Sequence, residues 1–113
     1  MSADRRIPVA VLGATGAVGQ RFVQLLDGHP WFRVSALAAS ERSAGQRYGQ
    51  AARWFLPQPI PDWARDLEVV PCSPGLDARV AFSGLDASVA GPIEEEFARA
   101  GCAVVSNSRN HRM

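Results

Sequence analysis

"IPVAVL" (Ile7–Leu12) runs directly into "GATGAVG" (Gly13–Gly19), and the reading of that junction decides the fold. A short, nearly continuous apolar run is the pattern of a strand buried on both faces of a parallel sheet. From Ala17 the period changes. Val18, Phe22, Leu25 and Leu26 fall at i, i+4, i+7 and i+8, which predicts one apolar helix face, and Asp27-Gly28 with Pro30 behind it is a stop signal. Strand, glycine turn and helix therefore follow one another.

Outward from this unit, Arg33 to Ala39 ("RVSALAA") reads as a second strand, and the intervening helix supplies the crossover that parallel strands need. Ser40 to Asp66 reads as irregular, because Gly45, Gly49 and the series Pro57, Pro59, Pro61 forbid a long helix. Trp54, Phe55 and Trp63 within it are expected to be packing anchors. Leu67 to Pro71 and Arg79 to Leu85 read as two further strands. Ser88 to Ala100 reads as a helix, with Pro92 near its first turn, Glu94 to Glu96 near the positive end of its dipole, Ile93 and Phe97 on one face and Gly101 as the stop. Cys102 to Asn107 is the last expected strand. This alternation predicts an α/β fold, a Rossmann-like, doubly wound and mostly parallel sheet.

The chain has 113 residues, enough for one domain and a single core. A formal net charge of +1 leaves no electrostatic footprint for nucleic acid or an anionic membrane. The apolar runs are strand-sized, and the start "MSADRRIPV" has no signal-peptide core, so a cytoplasmic protein is expected. All 12 basic residues are Arg, which removes the phosphate-loop lysine of a Walker motif and any Schiff-base lysine. Cys72 and Cys102 are expected to be free structural thiols. With His29 and His111 they have no zinc spacing, so no metal site is expected.

Each glycine of a G-x-x-G-x-x-G turn has a task. Gly13 permits a tight exit from the strand, Gly16 lets backbone N–H groups approach a pyrophosphate, and Gly19 lets the helix pack closely on the sheet. The helix N-terminus then faces the phosphates, where its dipole favours negative charge, and Thr15 adds a hydroxyl. A dinucleotide is the expected ligand. At the end of the second strand "AASERSAG" offers Ser40, Arg42 and Ser43, two hydroxyls and a guanidinium that suit the 2′-phosphate of NADP better than the bare diol of NAD. Glu41 opposes that preference if it points inward.

Taken in order, "GATGAVGQRFVQLLDGHPWF", "LAASERSAGQRYG", "LEVVP", "FSGLD", "VAGPIEEEFARAG" and "SNSRNHRM" make the chain resemble the amino-terminal part of aspartate-semialdehyde dehydrogenase. The likeness is closer to the form found in archaea, fungi and some bacteria. It implies NADPH-dependent reduction of aspartyl-β-phosphate to the semialdehyde with release of phosphate, on the route to lysine, methionine and threonine. The family's cofactor turn falls on Thr15, Gly16, Ala17 and Val18, supported by Gly13 and Gly19, and its 2′-phosphate contacts on Ser40, Arg42 and Ser43. Its nicotinamide-side strand end falls on Ser83 and Gly84, where Gly84 and Asp86 depart from the frequent "SALP". Its substrate and phosphate contacts fall on Asn107 and Arg112.

The family's nucleophilic cysteine and its acid/base histidine have no counterpart in this chain. Residues 1–113 are therefore expected to be an incomplete NADP-binding domain, inactive alone, without the substrate and dimerisation domain that would bind the acyl phosphate and make the whole enzyme a homo-oligomer. N-acetylglutamyl-phosphate reductase, malonyl-CoA reductase and a non-catalytic nucleotide-binding remnant are the alternatives.

Overall fold

Short apolar runs separated by crossovers give a parallel sheet. The computed structural model describes residues 5–106; Asn107 and Arg112 lie outside the described residues. Within them β1 (Ile7–Leu12), β2 (Phe32–Ala39), β3 (Val69–Pro71), β4 (Val80–Ser83) and β5 (Ala103–Ser106) form one sheet in the order β3-β2-β1-β4-β5. Every neighbouring pair is parallel. This is the expected Rossmann-like sheet, with its order reversing between β1 and β4.

The two faces of the sheet are built differently. Val9, Val11, Leu37 and Val69 point to one side, where they meet Val23 and Leu26 of α1 (Ala17–Leu26) and Tyr48 of α2 (Tyr48–Ala51). Ala64 of α3 (Asp62–Arg65) closes that side. The alternate residues Ala10, Ala36, Ala38 and Ala81 form a floor of methyl groups on the other side. Phe97 and Ile93 of α4 (Ala87–Arg99) pack there with Leu12. Leu12 and Leu37 are fully buried, and emptying either by substitution with Ala costs about 2–5 kcal/mol.

Several expectations are corrected in detail. The buried residues of α1 are Gly19, Gln20, Val23 and Leu26, while Leu25 is 68% exposed. The helix is thus turned about one residue from the expected Val18–Phe22–Leu25–Leu26 face, though Phe22 still meets Phe82 at 5.4 Å. Phe55 is 58% exposed and is not an anchor, whereas Trp54 and Trp63 pack against the core. The Ser40–Asp66 stretch contains the two four-residue helices α2 and α3. β3 begins at Val69 instead of Leu67, because the Leu67 carbonyl accepts from Tyr48 N–H and Glu68 bridges to Arg47.

In α4, Pro92 is the sixth residue instead of a first-turn one, and no acid lies in the first turn. Gly101 does stop the helix, at φ 89°, with Gly101 N–H donating to the Ala98 carbonyl and Cys102 N–H to that of Phe97. That second bond holds Cys102 in the cap, so β5 starts one residue later.

Candidate functional site

At the end of β1 the chain leaves the sheet through Gly13, whose φ of +69° is left-handed. Gly16 N–H donates to the Gly13 carbonyl at 3.1 Å, which closes the turn, and Ala14 N–H donates to the Ala38 carbonyl at 3.0 Å, which ties it to β2. Gly19 then sits so close beneath the turn that a Cβ on it would lie 2.1 Å from the Gly13 oxygen. A Cβ on Gly84, just past β4, would lie 2.7 Å from Gly19 N. Backbone therefore meets backbone at the point where the sheet order reverses.

Gly16 is different. A Cβ there would find only the Gly13 oxygen, at 3.6 Å. Nothing inside the fold demands glycine at this position, and its exposed face opens outward. The backbone N–H groups of Ala17 and Val18 precede the first helical bond, which Gln20 N–H makes to the Gly16 carbonyl at 2.9 Å, and no side chain caps them. Free donors and the positive end of a ten-residue helix dipole make this an anion-binding terminus.

These groups line a groove of about 280 Å³ along the carboxyl ends of β2, β1 and β4. Its wall includes Gly13, Thr15, Gly16, Ala17 and Val18 of the turn, Ser40 after β2 and Gly84 after β4. A second cavity of similar size adjoins it, sharing Ser40, Leu85 and Val89 and adding Glu41 and Cys72. A groove with an anion-binding helix terminus in its wall, continued by a second hollow between the ends of β2 and β3 and α4, suits a dinucleotide.

The other expected residues lie around this groove or beneath it. Gly19 and Ser83 are buried under it, Ser83 fully, where its hydroxyl accepts from Leu85 N–H at 3.5 Å. Arg42 and Ser43 stand on the loop after β2 and do not form the wall. Ser43 and Ala44 N–H both donate to the Ser40 carbonyl, which folds the loop back and leaves Arg42 exposed. Ala39, Leu85, Asp86 and Val89 complete the groove, and none of them was assigned to the site from sequence.

Two buried polar side chains that the sequence did not single out hold the turn. The Tyr48 hydroxyl donates to the Ala14 carbonyl at 2.6 Å, and burial raises the phenol well above its ordinary pKa. Gln20, 2% exposed, donates from Nε2 to the carbonyls of Thr15 and Arg53, and accepts at Oε1 from Phe55 N–H. A tyrosine twenty-nine residues beyond Gly19 carries no local signal of this role, and a glutamine inside an apolar helix face carries only a faint one.

Cys72 and Cys102 are free thiols. Burial pushes both above the ordinary thiol range; for Cys72 a backbone hydrogen bond from Gly13 offsets part of the rise. Neither is poised as a nucleophile. Among the described residues no group of His, Cys, Asp and Glu could hold a metal ion, and no helix is long and apolar enough to cross a membrane.

Comparison with known proteins places this geometry. The family "Semialdehyde dehydrogenase, NAD binding domain" matches residues 8–113. Aspartate-semialdehyde dehydrogenase of Cryptococcus neoformans is 53% identical over 99% of this chain, and that of Archaeoglobus fulgidus 48% identical over 96%. The chain spans 32% of the length of each of these relatives. The crystal structure of aspartate-semialdehyde dehydrogenase with NADP from Candida albicans superposes with a TM-score of 0.90 at 50% identity, covering 94% of this chain and 30% of that one. The relatives are fungal and archaeal, as the sequence blocks implied. With the glycine turn, the all-parallel sheet and a family match over almost its whole length, the chain belongs to the NAD-binding domain family of the semialdehyde dehydrogenases.

Proposed function

We propose that this chain binds NADP(H) as the dinucleotide-binding part of an aspartate-semialdehyde dehydrogenase. The observation that supports it most directly is the uncapped N-terminus of α1, opening into the groove at the β1–β4 switch point through a glycine that the fold itself does not need. The pyrophosphate would lie over Ala17 and Val18, the adenosine half toward Ser40, and the nicotinamide half toward Gly84. Ser40, Arg42 and Ser43 would hold the 2′-phosphate once the exposed Arg42 swings over it. The Candida albicans relative was solved with NADP, in line with this choice.

In the whole enzyme the cofactor supplies hydride for the reduction of aspartyl-β-phosphate, a small acyl phosphate, in the cytoplasm and within a homo-oligomer. Asn107 and Arg112 would meet that substrate. Burial raises both Cys72 and Cys102, so the acyl-transfer step calls for a nucleophile other than these two thiols. Neither nucleic acid nor membrane is a partner in this reading.

Calorimetric titration of the chain with NADPH and NADH, beside an Arg42→Ala variant, tests it. NADPH is expected to bind at least tenfold more tightly than NADH, and Arg42→Ala to remove that preference. A folded chain that binds neither nucleotide would overturn the proposal.

A further inference from the structure

Among the described residues that line the groove, Asp86 alone is ionisable; the others are glycines, hydroxyl residues and aliphatics. It is exposed, it stands at the N-cap of α4, and its carboxylate makes no capping bond to that helix. An N-cap aspartate ordinarily spends its charge on the helix N–H groups behind it. Here the charge is left to the groove.

The order of the strands fixes which part of a ligand that charge meets. Ser40 follows β2, the donors of Ala17 and Val18 follow β1, and Gly84-Leu85-Asp86 follow β4, with β2, β1 and β4 adjacent in that order. With NADP(H) bound as proposed, the 2′-phosphate lies at the β2 end and the pyrophosphate at β1, so the nicotinamide ring falls to the β4 end, beside Asp86. The two redox forms of the cofactor carry the same phosphates and differ there by one unit of charge: the ring is cationic in NADP+ and neutral in NADPH. Repulsion between Asp86 and the phosphates is common to both forms and cancels in their ratio. Attraction to the ring is present in one form alone.

We infer that Asp86 makes this groove discriminate between the redox forms of its cofactor, favouring the oxidised one. The inference rests on the NADP(H) reading of the site. An ion pair of this kind at the rim of a solvated groove changes affinity by about three- to tenfold, and salt weakens it.

The test is calorimetry of the chain with NADP+, NADPH and 2′-phospho-ADP-ribose, which lacks the ring, at low and high salt. Asp86→Asn keeps a good N-cap residue, and Asp86→Ser is a second variant should Asn disturb the fold. Both are expected to weaken NADP+ about three- to tenfold relative to NADPH, with 2′-phospho-ADP-ribose following NADPH and the contrast shrinking in high salt. Glu41→Gln, at the other end of the site, is expected to shift both forms equally. An equal effect of Asp86→Asn on NADP+ and NADPH, or a Glu41→Gln split as large as that of Asp86→Asn, overturns the inference while leaving NADP(H) binding standing. A folded wild-type chain that binds none of the three ligands overturns both.

Discussion

The three glycines of the turn are alike in sequence and unlike in what surrounds them. Gly16→Ala meets nothing closer than 3.6 Å, so thermal unfolding is expected to shift by less than about 1 kcal/mol while NADPH affinity falls at least tenfold, as the new methyl stands where phosphate approaches. Gly19→Ala would place a methyl 2.1 Å from the Gly13 oxygen, and a loss of more than about 2 kcal/mol in chemical denaturation is expected. Equal effects of the two substitutions on stability would contradict this division. Tyr48 gives a pH signature. Because its folded pKa lies above the ordinary 10.0, the folded chain keeps a proton that the unfolded chain has lost, so stability holds below about pH 10 and falls as pH rises past it. The two raised thiols act with the same sign from about pH 9 upward. Tyr48→Phe is expected to flatten the steeper part of this decline in urea titrations between pH 8 and 11, and to cost about 1–3 kcal/mol at neutral pH by leaving the Ala14 carbonyl without its donor.

Elements were more legible than their orientation. Strand, turn and helix could be read from Ile7 to Leu26 because the period changes sharply at the glycines. The rotation of α1 could not, since Phe22, Val23, Leu25 and Leu26 offer two apolar stripes one residue apart, about 100° of helix. Contact of Gly19 with the Gly13 carbonyl chooses between them, and that contact is tertiary. Similarly, Pro92 reads as a first-turn residue, but α4 starts at Ala87, directly after the loop that Gly84 pins to β1 through its N–H to the Leu12 carbonyl. The proline therefore lies in the second turn, where it removes the hydrogen bond to the carbonyl four residues before it. Pro92→Ala is expected to stabilise the domain by about 1–2 kcal/mol, the helix gain exceeding the entropy that proline removes from the unfolded chain. A lower melting temperature for that variant would show that the ring is needed where it is. For the site, the phosphate-binding turn was readable in the glycines; Gln20, Tyr48, Leu85 and Val89 were not, because each reaches the turn or the groove from an element whose placement depends on packing.

For the whole molecule, the sheet has two ends of different character. β3 is three residues long, too short to offer much of an edge. β5 has no partner on its outer side among the described residues and leaves Val105 46% exposed. Strands of this kind recruit other chains. Light scattering of the 113-residue chain is expected to show association that grows with concentration, and Val105→Lys to suppress it. A wild-type chain that stays monomeric and melts in one sharp step would show that this edge is protected. The joint of Gly13, Gly19 and Gly84 has a consequence for how such a domain can change over generations. The three glycines meet one another through main chain alone, so no rotamer or change of side-chain size at these positions can retune the joint. Inherited variation in what the groove accepts falls instead on the side chains around the joint, on Thr15, Val18, Ser40, Leu85, Asp86 and Val89 and on Arg42 of the neighbouring loop, where a new preference can arise by single substitutions while the joint itself stays as it is.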